Sequence, residues 1–281
     1  MTDPSGTCPT PDSKRSQLQR TSRGFRPFGW LLGVMRLSLI LAIYAMIYLC
    51  YGLCHFFLTT PEKRLAYGYA MTRRWAKAIC LVSGYKVSIS GPIPTGACLL
   101  APNHLGYVDI PPIASVCPAF FLAKADVRQW PVLGFAGAVH GHLFIPRTRT
   151  KALIAAAETV SNRLQDGYPV CVFLEGTSSG GDSILPYHAS LVQPAITSQA
   201  PVVPIVVDWR VSAKHIDIAE EIAYWKDHSF APHFWHHLTI TGKHVHLTFC
   251  DAVPTVDTTR KALTEQIHQQ ALTRYQNGVD G

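Results

Sequence analysis

The sequence contains no Cys-x-x-Cys pair, although eight cysteines are spread along its 281 residues. Several of these cysteines lie inside apolar runs, so we expect reduced, buried thiols in a cytosolic setting. A disulfide framework and a zinc site are both disfavoured. The chain also has no internal repeat. Its His-rich segment 233–246 lacks a convincing set of acidic or cysteine partners, which favours a surface cluster over a metal site.

Acidic side chains are fewer than basic ones, with 18 Asp and Glu against 25 Lys and Arg, a formal charge of +7 and a pI near 9.0. Hydrophobic residues make up 48% of the chain and its mean hydropathy is +0.12. A basic and apolar chain favours an anionic membrane surface as its partner. Nucleic acid is the alternative on charge alone, but no recognition helix or aromatic platform of known pattern is present. Residues 1–28 are predicted to form a disordered basic arm.

The apolar run 37–58 has 22 positions without a formally charged residue. It is long enough to span a bilayer, and the alternative is a buried core helix. Basic residues on both flanks leave its orientation open, so a helix that spans and one that only dips into a leaflet both fit. Segment 62–82 has basic residues on one half of a helical wheel and apolar ones on the other, and Gly84 is expected to end it. We predict an interfacial helix with its aromatic residues at headgroup level, which makes 29–84 a membrane-anchoring helical hairpin.

Strand-like and helix-like segments alternate from about residue 85 onward. Segment 148–166 predicts a helix, and Asp257 is predicted to cap the last helix. This pattern favours an α/β domain over 85–281, with a mixed sheet flanked by helices and preceded by an N-terminal membrane-embedded helical hairpin. The runs predicted as strands are 86–90, 97–101, 119–123, 170–173, 202–207 and 245–249.

A histidine and an aspartate stand five residues apart in the segment Asn103–Asp109 (NHLGYVD). The preceding apolar run predicts a buried strand, and the following Pro111 and Pro112 fit the first turn of a helix. On such a loop the Asp109 carboxylate can hold one imidazole nitrogen of His104 and leave the other free to take a proton from an alcohol. The alternative is a chance pair in which Asp109 only caps the helix.

Three further segments follow in order: Gly141–Arg147 (GHLFIPR), Phe173–Gly181 (FLEGTSSGG) and Val203–Ile205 (VPI). Together with Asn103–Asp109 they resemble the PlsC-type glycerolipid acyltransferase family, whose blocks read NHxxxxD, GxxFxxR, FPEGTRS and a VPI-like strand. Four blocks in the right order and spacing are a specific signal. We expect Val203–Ile205 to belong to the core and assign it no chemistry.

The resemblance implies that His104 is the general base, that Asp109 orients it, and that the arginine and the Glu-Gly-Thr loop bind the acceptor. Glycine, threonine and serine in that loop also offer N–H and hydroxyl donors to an anionic oxygen, and a guanidinium can hold a phosphate by two parallel bonds. The alternatives are an ordinary turn and an arginine without a ligand. The residues we assign to substrate binding are Asn103, Arg147, Glu175, Gly176, Thr177 and Ser178.

The implied activity is that of a membrane-bound O-acyltransferase, which moves a fatty acyl group from acyl-CoA or acyl carrier protein to the free hydroxyl of a lysolipid. Direct transfer needs no protein nucleophile, metal or other cofactor. The implied partners are lysolipid, acyl donor and membrane lipids, without nucleic acid, and the active site is expected on the cytoplasmic face, at the inner membrane in a bacterium. A membrane lipid-binding scaffold that has lost the reaction is the alternative from another class.

The acceptor implied first is 1-acylglycerol-3-phosphate, but the sequence departs from the family near the expected headgroup. Ser178 replaces a basic residue and His188 replaces a lysine, while Pro146 and Leu174 depart from the usual residues of their blocks. The run EGTSS and segment 224–235 resemble the branch that acylates lyso-ornithine lipids. Lyso-ornithine lipid is therefore the second expected acceptor.

Overall fold

The structure is a computed structural model that describes residues 27–55, 57–130, 133–145 and 150–279. Seven strands form one sheet in the order β1-β7-β6-β2-β5-β3-β4, with every neighbouring pair parallel except β6 and β7. The mixed α/β sheet predicted from the sequence is confirmed. The strands are β1 (Tyr85–Ser90), β2 (Leu99–Pro102), β3 (Phe120–Lys124), β4 (Leu143–Ile145), β5 (Val170–Cys171), β6 (Val202–Val211) and β7 (Lys243–Phe249).

Helices cover both faces of this sheet. Alternate residues of the central strands point to opposite faces, so each face has its own apolar core. One core contains Leu100 and Phe121 with residues of α1, α2, α3 and α7, and the other contains Leu99 and Val170 with residues of α5, α6 and α8. The helices are α1 (Pro27–His55), α2 (Pro61–Ser83), α3 (Ile110–Val116), α4 (Leu133–Val139), α5 (Thr150–Gln165), α6 (Gln193–Ser198), α7 (Phe230–Thr239) and α8 (Arg260–Val279).

Helix α1 is long and apolar enough to cross a membrane over Phe28–Cys54, by its length and composition alone. Ile40 and Tyr44 face the protein, and Arg36 donates hydrogen bonds from Nη1 to the carbonyls of Leu238 and Ile240 at 2.7 Å each. These carbonyls end α7, where a cation is favoured. The opposite face is exposed and apolar: Phe28, Trp30, Leu31, Val34, Met35, Leu39, Leu41, Met46, Leu49 and Leu53.

Helix α2 begins after Thr60, whose hydroxyl accepts a hydrogen bond from the backbone N–H of Lys63, and ends at Gly84 in the left-handed conformation, as predicted. Its apolar face, however, packs on the α/β domain and belongs to the core through Trp75, Ala76 and Ile79. The prediction that the aromatic residues of this helix lie at headgroup level is therefore wrong for Trp75. The boundary between residues 84 and 85 stays a prediction, and the predicted basic arm lies almost entirely outside the described residues.

The last helix begins differently from the prediction. Asp257 has φ of +55° and lies outside the helix, so it does not cap it. Thr259 takes that place, because its Oγ1 accepts a hydrogen bond from the N–H of Ala262 at 3.2 Å. Both residue types are good caps, and the local sequence did not distinguish them.

Candidate active site

The site lies at the carboxyl ends of β2 and β5, which are neighbours in the sheet with Leu99 opposite Val170. Segment 103–109 follows β2, and segment 173–181 follows β5. Because the carboxyl ends of parallel strands meet at one edge, two blocks that are 70 residues apart come together. The N–H of Ser179 donates to the carbonyl of His104 at 2.8 Å, which ties the two loops directly.

His104 and Asp109 form the predicted pair, with Nδ1 of His104 3.0 Å from Oδ2 of Asp109. A carboxylate only accepts hydrogen bonds, so Nδ1 carries the hydrogen and Nε2 remains as the nitrogen that can take a proton. The imidazole stacks on the Phe173 ring, with centroids 3.6 Å apart and planes 24° apart. This stacking and the Asp109 contact fix the ring at the wall of a cavity.

The Asp109 carboxylate is fully buried and receives four donors in total. Besides the imidazole, its Oδ2 accepts from the N–H groups of Leu105 at 2.7 Å and Gly106 at 3.0 Å. Its Oδ1 accepts from Nε1 of Trp209 at 2.9 Å. Asp109 makes no side-chain cap to α3, so the alternative of a simple helix cap is not what the geometry shows. Every donor holds this carboxylate in one orientation toward His104.

Gly106 lets the loop fold this tightly. Its φ is +138°, and a Cβ at this position would lie 2.8 Å from the Cβ of Tyr224 and 3.0 Å from the Tyr224 carbonyl oxygen. A side chain at position 106 would push Tyr224 away or turn the backbone N–H of this residue away from the Asp109 carboxylate. The glycine is therefore part of what positions Asp109.

Glu175 is buried, and its Oε1 accepts a hydrogen bond from the backbone N–H of His104 at 3.3 Å. Its Oε2 has no hydrogen-bond partner among the described residues. Burial raises the pKa of Glu175 to about 8, the negative charge of Asp109 also raises it, and the His104 N–H acts against both. At neutral pH this raised pKa favours the protonated form of the carboxyl next to the His104–Asp109 pair.

The glycine-rich loop after Glu175 faces the same cavity through Gly176, Thr177 and Ser178. Gly176 has φ of +68°, and a Cβ there would meet the His188 ring at 2.8 Å. Thr177 is exposed, whereas the Ser178 hydroxyl donates to the carbonyl of Tyr224 at 2.7 Å. The loop thus lines the cavity, but the Ser178 hydroxyl already has an acceptor within the protein. Its assignment to substrate binding stays a prediction.

Asn103 does not face the cavity, contrary to its assignment to substrate binding. Its Nδ2 donates to the carbonyl of Val207 at 3.1 Å, and its Oδ1 accepts from the Val207 N–H at 2.6 Å. The buried amide therefore continues the β2–β6 pairing beyond the end of β2 and anchors the His104 loop. Arg147, also assigned to substrate binding, lies outside the described residues.

Trp209 and Phe173 were missed as functional residues. Trp209 occupies a buried position of β6, two residues beyond Val207 in a strand predicted to end at 207. The sequence signal for Trp209 is the alternation of side chains along β6, which places it on the same face of the strand as Val207. Phe173 is the first residue of its sequence block, and no pattern in the neighbouring residues predicts that its ring stacks on His104.

The cavity beside His104 has a volume of about 830 Å³. One part runs under α1 and α2, along Tyr44, Trp75 and Ile79, and another runs along β3 and β4, past Phe121 and Phe144. Most of its wall is apolar. Among the described residues, the one Lys or Arg that lines it is Lys124, whose Nζ pairs with Asp126 Oδ2 at 2.6 Å.

Comparison with known proteins gives a match between residues 85–208 and the family model described as Acyltransferase. This part of the chain is an acyltransferase domain. The domain contains the His104–Asp109 pair, the Glu175 loop and the cavity wall between them. The PlsC-type resemblance and the O-acyltransferase class expected from the sequence are both confirmed.

Relatives of two kinds match this chain. A lyso-ornithine lipid O-acyltransferase of Pseudomonas aeruginosa is 28% identical over 71% of the chain and 76% of the relative. A second, of Rhizobium meliloti, is 32% identical over 43% of the chain and 42% of the relative. A 1-acyl-sn-glycerol-3-phosphate acyltransferase of Neisseria meningitidis is 34% identical over 44% of the chain and 49% of the relative, so the last two alignments span less than half of each relative.

The fold has a counterpart among solved structures. The crystal structure of PlsC, the 1-acyl-sn-glycerophosphate acyltransferase of Thermotoga maritima, superposes with a TM-score of 0.62 at 18% identity. The match covers 88% of this chain and 97% of that one, so it includes helices before the acyltransferase domain. At this identity the likeness establishes the fold.

Proposed function

We propose that this protein is a membrane-bound O-acyltransferase that moves a fatty acyl group from an acyl thioester to the free hydroxyl of a lysolipid. The observation that carries the proposal is the His104–Asp109 pair at the wall of an apolar cavity, with Nε2 left to accept a proton. The volume of about 830 Å³ is within the usual range for ligand pockets and suits an acyl chain.

The proposed chemistry is a direct transfer. Nε2 of His104 takes the hydroxyl proton of the acceptor as its oxygen attacks the thioester carbonyl carbon. The tetrahedral intermediate collapses with loss of the carbon–sulfur bond, and the imidazolium returns its proton to the departing thiolate. Asp109 fixes the tautomer and stabilises the imidazolium formed on the way. Acyl-CoA or acyl carrier protein supplies the thioester, and the expectation that no metal or other cofactor takes part remains a prediction.

Membrane attachment follows from the exposed face of α1. Ten large apolar side chains on that helix would face water in a free protein, whereas the buried face already packs on the domain. At roughly 25 cal/mol per Å² of apolar surface, exposing such a stripe is costly, and a bilayer removes that cost. We place the active site on the cytoplasmic face, where acyl thioesters are available, and the cytosolic setting also suits the reduced cysteines.

Among acceptors, the geometry favours lyso-ornithine lipid over 1-acylglycerol-3-phosphate. Lys124 is already paired, Ser178 stands where the family has a cation and donates to Tyr224, and His188 replaces a lysine. A phosphomonoester is held best by several cations, and the positions of Ser178 and His188 no longer supply a lysine or arginine. The relative with the longest coverage quoted above is also a lyso-ornithine lipid O-acyltransferase. 1-Acylglycerol-3-phosphate remains the second candidate because relatives named for it match the same domain.

The test is release of thiol from one acyl thioester by the full chain in detergent, with and without each lysolipid of a panel. We expect release to depend on lyso-ornithine lipid, less on 1-acylglycerol-3-phosphate, and to disappear in His104→Ala. A lipid-binding scaffold would bind lysolipid without releasing thiol. Equal release in wild type and His104→Ala would refute the mechanism.

A further inference from the structure

Two imidazoles interrupt the apolar wall of the cavity, the buried His140 and the half-buried His142. His140 follows α4, His142 precedes β4, and both line the cavity. Their ring centroids are 5.8 Å apart, with Trp75 5.3 Å from His140 and Phe121 5.3 Å from His142. His142 lies in the second block, Gly141–Arg147, but the acyltransfer chemistry described above uses neither ring.

Both imidazoles have a ring nitrogen without a hydrogen-bond partner. Nδ1 of His142 accepts from the backbone N–H of Phe121 at 3.4 Å, so its hydrogen is on Nε2. That Nε2 and Nε2 of His140 are both buried, and neither has a partner among the described residues. Unpaired polar atoms next to an apolar cavity are costly, and such atoms call for an explanation.

The two rings are neutral. Burial lowers the pKa of His140 to about 4 and that of His142 to about 3, and for His142 the neighbouring His140 adds to the effect. A neutral imidazole offers one donor nitrogen and one acceptor nitrogen. The pair therefore suits a group that can accept one hydrogen bond and donate another, and it does not suit an anion.

We propose that His140 and His142 form a subsite that takes a hydroxyl group carried on the fatty acyl chain. This proposal rests on the proposed function, because it assumes that the cavity holds the acyl chain. A hydroxyl accepts from Nε2–H of His142 and donates to Nε2 of His140, which is an acceptor in the tautomer that carries its hydrogen on Nδ1. A keto group can only accept, and a methylene can do neither.

The sheet order indicates where along the chain the hydroxyl lies. His104 follows β2 and His142 precedes β4, and β5 and β3 lie between these strands. Three spacings of roughly 4.8 Å give about 14 Å between the two strands. The preferred hydroxyl is therefore well along the chain and not on the carbons next to the thioester.

The experiment first measures binding without turnover, by titrating the full chain in detergent with free fatty acids of one length. The panel contains the unsubstituted acid and acids with a hydroxyl beside the carboxyl group, near mid-chain and near the methyl end, plus a mid-chain keto acid. We expect one internal hydroxyl position to bind on the order of tenfold more tightly than the unsubstituted acid, as two modest hydrogen bonds allow. The keto acid should gain less.

Variants assign the preference to the two rings. His140→Phe and His142→Phe should each bring the ratio of hydroxylated to unsubstituted acid close to one, whereas His142→Gln, which keeps an N–H donor, should retain part of it. The matched control is His246→Phe on β7, whose ring contacts Ser88 and Ser90, and it should leave the ratio unchanged. Thermal melts check that each variant is folded.

The same panel is then used as acyl thioesters with one lysolipid, so that failure of this proposal is distinct from failure of the acyltransferase assignment. Loss of transfer with this lysolipid and with the others of the acceptor panel would overturn the acyltransferase assignment. The binding ratio of the free acids would then still measure the subsite. The subsite is overturned if wild type shows no preference for any hydroxyl position, which needs no variant. It is also overturned if both Phe variants fold and keep the wild-type ratio.

Discussion

Replacing Trp209 by Phe tests whether the Asp109 carboxylate needs all four of its donors. Both residues are buried, with 3% and 0% of their surfaces exposed, and Nε1 of Trp209 is 2.9 Å from Oδ1 of Asp109. The substitution removes the one donor to Oδ1 that the described residues provide and leaves most of the ring volume in place. Asp109 keeps the Leu105 and Gly106 N–H groups on Oδ2, so we expect the His104–Asp109 contact to weaken but not to be lost.

A hydrogen bond to a charged group is worth about 1.5 to 3 kcal/mol, and the smaller ring adds a modest packing loss. We therefore expect the free energy of unfolding to fall by about 2 to 4 kcal/mol. A less firmly held Asp109 should also orient His104 less well, so we expect kcat to fall roughly tenfold. KM should change little, because Trp209 contacts Asp109 and not the substrate.

The assays are thermal or denaturant unfolding in detergent and steady-state thiol release with saturating lysolipid. The matched control is Trp225→Phe, which removes an equivalent indole N–H bond, 2.7 Å from the carbonyl of Ala219, without touching Asp109. If Trp209→Phe changes kcat no more than Trp225→Phe does, then Asp109 does not depend on the indole. A loss confined to KM would place Trp209 in substrate binding and contradict the positioning argument.

Four further predictions follow from single contacts. Asp109→Asn should lower kcat by about 10²-fold or more through the wrong His104 tautomer, and thiol release at saturating substrate measures this. The pKa of Glu175 is raised from the usual 4.5 to about 8 in the folded protein. Between these values the unfolded chain loses the proton and the folded chain keeps it, so the free energy of unfolding falls as pH rises. The melting temperature of Glu175→Gln should therefore change less than that of wild type between about pH 5 and pH 8. Ser178→Arg should raise the use of 1-acylglycerol-3-phosphate relative to lyso-ornithine lipid about tenfold or more, whereas Ser178→Ala, which breaks the same bond to Tyr224 without adding charge, should not. Arg36→Met should lower the melting temperature because two buried carbonyls at the end of α7 lose their donor, and an unchanged melting temperature would show that α1 is not held there.

Local pattern was enough to predict which side chains the two main loops bring together. The spacing of His104 and Asp109 after an apolar run predicted a base and its orienting acid, and the contact at 3.0 Å has that form. The Glu-Gly-Thr run likewise predicted a loop that follows a buried strand. The alternation of strand-like and helix-like segments predicted the mixed α/β fold. These features depend on residues within one strand and the turn after it, where side-chain spacing and backbone preference act directly.

The tertiary structure decided what each of these local segments faces. Trp209 reaches Asp109 from 100 residues away, and Asn103 turns to the backbone of Val207 instead of the cavity. The amphipathic pattern of α2 was read correctly, but a helical wheel cannot tell a membrane surface from the core of the same protein, and Trp75 faces the core. Periodicity specifies that a face is apolar, and only the order in which strands and helices pack specifies what covers it. For the same reason the sequence predicted the His104–Asp109 pair, whereas the neighbouring His140 and His142 rings became apparent only from the packing of β3 against β4.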